Sequence, residues 1–220
     1  DFERHLKRKG WVDDTYIAMD ERGPEDTRAT ADCVKKFAPR IKIAMPGNQP
    51  PSKFKGIDLA NYCQFIGHID EPFLKEVVER RAQGKTTTFY VCCGPRRPNT
   101  FTFSPTAEPV WLGLYAAANN LDGFLRWSFV NWPRDPLFDS SFGPWPAGDT
   151  FLIYPGPRSS IRWEMLRDGI EEAEKIRVLR AKGDLAPNLR DALTEFDFKR
   201  ASKMDDATLS ALVQRTRLAI

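Results

Sequence analysis

Several things are scarce in this chain of 220 residues, and each scarcity removes a class of function. No stretch approaches the roughly 20 consecutive apolar residues of a membrane span. Residues 1–20 are charged rather than signal-like, so an export signal is expected only outside this sequence. Histidine occurs twice and cysteine four times, as Cys33, Cys63, Cys92 and Cys93, with no metal-ligand spacing among them. A zinc site is therefore not expected, and buried free thiols are. Cys92 and Cys93 are neighbours on an expected strand, which predicts that they point to opposite faces. Neither sign of charge dominates: 33 basic and 30 acidic residues leave a net charge of +3, which argues against an electrostatic nucleic-acid binder. The densest basic cluster, Arg4, Lys7, Arg8 and Lys9, reads as a solvated helix face. Neither a Gly-x-Gly-x-x-Gly turn nor a phosphate loop is present, which disfavours a nucleotide-binding sheet.

What is abundant is proline and large aromatics. The 17 prolines predict long shaped loops, and six tryptophans with 15 phenylalanines suit a binding cleft as well as a core, where most aromatics lie in any protein. At 41% hydrophobic, the chain is long enough for one large core or two small ones. Apolar, β-branched runs at 15–20, 40–44, 62–66, 86–93 and 123–129 predict five strands. Helical periodicity predicts helices over 25–38, from the Asp70 cap to Gly84, from Ser104-Pro105 onward, and over 160–182, where Trp163, Leu166, Ile170, Ala173 and Ile176 mark the inward face. A last extended piece is expected over 150–154, and smaller helices over 188–197 and 205–217. Strand and helix alternating in this way imply parallel strands joined by crossovers, in an α/β fold. Five strands fit an open doubly wound sheet or part of a (β/α)-barrel, and the absent phosphate motifs favour the barrel.

In either architecture function gathers at the C-terminal ends of the strands. Asp20-Glu21, Met45-Pro46-Gly47, Cys93 through Arg97 and Trp127 through Asp135 all fall just past a strand. The adjacent acids are the sharpest signal. Each makes the other harder to ionise, and a carboxyl kept protonated near neutral pH is a proton donor suited to glycoside cleavage. The plainer alternative is a helix-start cluster, since Gly23-Pro24-Glu25-Asp26 follows and negative charge suits a helix N-terminus.

The stretches TYIAMDE, YVCCGPRRPNTF, GFLRWSFVNWPRDP and AGDTFLIYPGPRSSIRWEMLRDGIEEAEKIRVL resemble the C-terminal catalytic region of glycoside hydrolase family 123, the β-N-acetylgalactosaminidases. The resemblance spans roughly residues 5–182. It implies a partial (β/α)8 barrel of about five parallel strands, corresponding to the second half of a complete one, with residues 183–220 as a helical extension. It also implies a retaining reaction in which the substrate's own 2-acetamido group attacks the anomeric carbon. Asp20 would then steady the acetamido N–H of the oxazolinium and Glu21 would act as general acid and base, with no cofactor and no metal. Trp127 and Trp132 would stack on a pyranose, Asn131, Arg134 and Asp135 would bond its hydroxyls, and Tyr90, Tyr154 and Arg158 are further substrate contacts. The partner so implied is a carbohydrate with a terminal N-acetylhexosamine rather than nucleic acid or membrane, in a secreted or periplasmic protein. A complete barrel needs eight strands, so the expectation is a portion of a longer polypeptide or two associating copies. The rival expectations are a carbohydrate-binding module without catalysis and a protein-interaction domain.

Overall fold

A computed structural model of the chain describes residues 1–156 and 158–220. In chain order the elements are α1 (Phe2–Lys9), β1 (Tyr16–Ala18), α2 (Pro24–Phe37), β2 (Lys42–Gly47), β3 (Leu59–Phe65), α3 (Glu71–Ala82), β4 (Thr86–Val91), α4 (Ala107–Ala118), β5 (Phe124–Arg126), α5 (Ile161–Lys182), α6 (Pro187–Leu193), α7 (Phe198–Ala201) and α8 (Asp206–Ala219). The five strands form one sheet in the order β1-β2-β3-β4-β5. β1 pairs parallel with β2, Ile17 opposite Ile43, and β2 pairs parallel with β3. A doubly wound sheet would reverse its strand order at a switch point. Sequential order is instead that of a (β/α)8 barrel, here in part.

The chain divides into two compact units, Asp1–Phe89 and Tyr90–Ile220. In the first, Met45, Leu59, Tyr62, Ile66, Phe73, Val77 and Phe89 form the buried centre. Leu6, Val12 and Ile41 make a smaller cluster against which Ile17 packs. β1 was expected to be a buried run, but it is the sheet's first strand, and Tyr16 and Ala18 are exposed. α2 starts after Gly23 with Pro24 at its first position, and Glu25 and Asp26 supply the negative charge in its first turn. α3 begins where Asp70 accepts the Phe73 N–H at 2.9 Å. Its buried face is not wholly apolar. Arg80 lies inside, donating to Thr87 Oγ1, Leu59 O and Thr86 O, while Val78 is exposed.

In the second unit α4 is buried almost throughout and packs on α5 at very short range. A Cβ on Gly113 would stand 2.2 Å from the Gly169 carbonyl carbon. That contact rotates α5 relative to the expected face: Arg162, Leu166, Gly169, Glu172 and Ile176 are buried, whereas Ile170 is exposed. Ser160 caps α5 by accepting the Trp163 N–H at 3.1 Å. α6 and α8 pack against each other through Leu189, Leu193, Leu209, Leu212 and Val213. Arg217 of α8 holds Glu172 of α5 at 2.6 Å. None of the described helices is long and apolar enough to cross a membrane.

The cysteine expectation needs correction. All four are free, but only Cys63 is fully buried, and Cys33 and Cys93 are exposed. β4 ends at Val91, before the pair, so the strand rule for Cys92 and Cys93 does not apply: their sulfurs lie 3.9 Å apart.

Candidate active site

In the first unit, Met19 N–H still donates to Ala44 O at 2.8 Å, extending the β1–β2 ladder by one residue. Asp20 and Glu21 follow at once, at the C-terminal end of β1. They precede Gly23, the cap of α2, so they are not part of that helix's first turn. Both side chains are exposed. Asp20 Oδ1 accepts the Glu21 backbone N–H at 2.9 Å, and Asp20 Oδ2 lies 3.4 Å from Arg22. Glu21 Oε2 accepts the side-chain N–H of Asn48 at 2.7 Å. Asn48 comes directly after β2, so adjacent parallel strands deliver the acid and its amide partner to the same edge of the sheet.

A buried layer holds that edge in place. Tyr62 on β3 is fully buried and donates its hydroxyl to Gln49 O at 2.5 Å. Gln64 donates to Gly47 O at 3.1 Å. Gly47 accommodates this approach because it lacks a side chain: a Cβ there would meet the Tyr62 hydroxyl at 2.1 Å. Burial pushes the Tyr62 phenol up, and the charge of Glu21 adds to the effect. Burial likewise pushes the Cys63 thiol up to about 12, which keeps it neutral and unreactive. A 360 Å³ cleft of this unit lies elsewhere. It is lined by Arg28, Lys35, Arg40 and Lys42, and Lys42 opens β2 at the end opposite to Asn48.

In the second unit a buried ion pair organises the segment that carries the expected sugar-contact residues. Arg126, the last residue of β5, reaches Asp149 Oδ1 at 2.6 Å, also donates to the Asp149 carbonyl, and donates to Val91 O at 3.2 Å. Burial lowers the Arg126 pKa even with Asp149 beside it. Asp149 Oδ1 also accepts the indole N–H of Trp127 at 3.2 Å, and Trp145 lies against Trp127 with ring centres 5.4 Å apart. Beyond Trp127 the chain pairs with residues 150–153. Ser128 Oγ and Asn131 N–H both donate to Thr150 O, Val130 bridges Phe151, and Trp132 Nε1 donates to Ile153 O at 2.7 Å.

The expected substrate residues therefore fall into distinct environments. Trp127 and Trp132 each expose more than a third of their surface while their N–H groups are anchored inward. Asn131, Arg134, Asp135 and Arg158 are exposed, and Tyr154 is half-buried with its ring edge-on to Phe151. Tyr90 is only 4% exposed. Two residues enter that were not anticipated. Asn48 becomes visible only through the β1–β2 register, in which Ala18 faces Ala44 and Glu21 and Asn48 lie a few residues beyond that pair. For Asp149 the only signal was an acid inside an apolar stretch, Gly148-Asp149-Thr150-Phe151-Leu152. Among the described residues no three His, Cys, Asp or Glu side chains gather to hold a metal ion.

Comparison with known proteins identifies the family. The model of the glycoside hydrolase 123 catalytic domain matches residues 1–179. The chain is also similar to a solved structure of a family 123 glycoside hydrolase from Clostridium perfringens, described in work on glycolipid glycan hydrolysis, at 27% identity and a TM-score of 0.83. That alignment covers 99% of this chain and 42% of the other, so the chain spans less than half of the relative's length. A comparison with curated proteins finds no match. The chain belongs to the glycoside hydrolase 123 catalytic-domain family.

Proposed function

We propose that this chain carries the catalytic acids of a retaining hexosaminidase that releases a terminal β-linked N-acetylgalactosamine from a glycan. The observation that supports it most is the consecutive pair Asp20 and Glu21 at a strand's C-terminal end, with the Glu21 carboxylate fixed by Asn48.

The chemistry follows from what two adjacent acids do for a 2-acetamido sugar. The acetamido carbonyl oxygen attacks the anomeric carbon while the bond to the leaving oxygen breaks, and Glu21 gives that oxygen its proton. Asp20 accepts the acetamido N–H and offsets the positive charge that develops on the oxazolinium. Glu21, now ionised, takes a proton from water as the water attacks the anomeric carbon and opens the ring. Two inversions give net retention, and no enzymic nucleophile is required, as in the substrate-assisted exceptions to the two-carboxylate scheme. Asn48 aims the Glu21 carboxyl. The exposed faces of Trp127 and Trp132 serve sugar stacking, and Asn131, Arg134, Asp135, Tyr154 and Arg158 serve hydroxyl recognition. Tyr90, almost wholly buried, supports the site by packing.

A galacto-configured thiazoline, a stable mimic of the cyclised intermediate, tests the substrate-assisted route. With the intact protein, calorimetry should show binding that Asp20→Asn weakens by about tenfold or more, as expected for a lost charge-assisted hydrogen bond. Binding of equal strength in Asp20→Asn would overturn the assignment of Asp20, and no binding by the wild type would overturn the reaction itself.

A further inference from the structure

Cys92 and Cys93 follow β4, where the chain has already begun to turn: the Cys92 N–H donates to Gly94 O at 2.9 Å. The turn brings the two sulfurs to 3.9 Å, with Cys93 exposed and Cys92 half-buried. The backbone around them is pinned. Asn99 Nδ2 donates to Cys92 O at 3.0 Å, and Arg126 donates to Val91 O at 3.2 Å. The backbone that carries the pair is thus held before any ligand arrives, which lowers the ordering cost of binding.

Two thiols so placed are a bidentate ligand. Two sulfurs bound to one pyramidal trivalent centre at about 95–100° through bonds of about 2.3 Å stand roughly 3.4 Å apart, a separation the observed pair at 3.9 Å reaches by a small side-chain rotation. A divalent metal would ask for further protein donors, and among the described residues no group of three His, Cys, Asp or Glu provides them. A trivalent arsenic centre that carries one organic substituent needs two sulfurs and nothing more. We propose that Cys92 and Cys93 form a bis-thiol site that takes an organic trivalent arsenical as a cyclic dithioarsinite.

The step balances without oxidant or reductant. In the hydrated arsonous acid, R–As(OH)2, both As–O bonds break and two As–S bonds form. The two thiol protons leave with the two hydroxyls as two waters, and arsenic stays trivalent. The second As–S bond closes within one molecule, so its effective concentration far exceeds that of an external monothiol. A small dithiol, which can form its own ring, removes the arsenic readily.

The test treats the intact protein with one equivalent of phenylarsine oxide and then with millimolar glutathione, with intact mass as the readout. One adduct per chain should survive glutathione and be lost to 2,3-dimercaptopropanol. Cys92→Ser and Cys93→Ser should each lose the adduct to glutathione at least about tenfold faster than wild type, whereas Cys33→Ser should behave as wild type. Alkylation mapping of the unaltered chain should show Cys92 and Cys93 protected together and Cys33 reactive, which decides the matter even if a variant fails to fold. An adduct that glutathione strips from wild type, a resistant adduct that persists in Cys93→Ser, or protection of only one of the two thiols would overturn the proposal.

Discussion

Asn48 donates its side-chain N–H to Glu21 Oε2 at 2.7 Å, from just past the strand that pairs with the one preceding the acids. The bond restrains a carboxyl that is otherwise exposed at the end of a flexible side chain. A proton donor contributes only when it is aimed at the leaving oxygen, so the amide supports the transition state more than the bound ground state.

Replacing Asn48 by Ala should therefore lower kcat. A hydrogen bond to a charged group contributes about 1.5–3 kcal/mol, or roughly ten- to a hundredfold in rate. KM should stay within about threefold of wild type. Steady-state kinetics on an aryl glycoside distinguishes this from a binding role, in which KM rises and kcat does not change.

Asp149 neutralises a buried arginine and holds an indole. In Asp149→Ala the Arg126 guanidinium is left buried without its counter-charge, which costs about 3–5 kcal/mol, and Trp127 loses its N–H acceptor. Urea unfolding should register the loss, and the tryptophan emission of the folded variant should change. Unaltered stability would mean that the pair contributes nothing to the fold.

Gly113→Ala sets two effects of opposite sign against each other. Alanine favours a helix interior over glycine by about 1 kcal/mol. Its Cβ, however, would stand 2.2 Å from the Gly169 backbone, and neither helix axis can yield alone. Overpacking of this kind costs about 1–3 kcal/mol or more, so the variant should be net destabilised. A gain in stability would show that α4 and α5 can separate at no cost.

Glu108 lies buried at the start of α4, 3.2 Å from Arg97, and accepts the Asn99 N–H at 2.8 Å. Burial nevertheless raises its pKa above the usual glutamate value of 4.5, against the opposing effect of Asn99, Ser104 and Arg97. Between 4.5 and the raised value the folded chain holds a proton that the unfolded chain has released. Stability therefore falls as pH rises through that window. Glu108→Gln removes this slope, so its unfolding free energy relative to wild type should improve from pH 4 toward pH 7. A variant that becomes relatively worse toward neutral pH would show that the ion pair with Arg97 outweighs burial.

Much of this architecture was legible before any coordinates, because parallel strands are apolar along their length and helix starts carry chemical labels. Asp70 and Ser160 cap the helices that the periodicity places after them, and the strand–helix alternation narrows the fold to two strand orders, one of which is observed. The misplaced features have a common cause in tertiary contacts. α5 turns a different face inward because two glycines let α4 approach it, and Arg80 enters the core because carbonyls from β3 and β4 await it. The cysteine pair converges because the strand stops two residues earlier than its apolar run suggests. The acids themselves were visible as a dipeptide. Asn48 and Asp149 were not, since each meets its partner across more than 20 residues of chain.

The most direct test of the proposed catalysis is hydrolysis of 4-nitrophenyl N-acetyl-β-galactosaminide by the intact protein and by its Glu21→Gln variant. Wild type should release nitrophenol, and the variant's kcat should fall by about a hundred- to ten-thousandfold, the usual contribution of a positioned acid–base group. A variant that turns over at the wild-type rate would contradict the assignment of Glu21 as the proton donor.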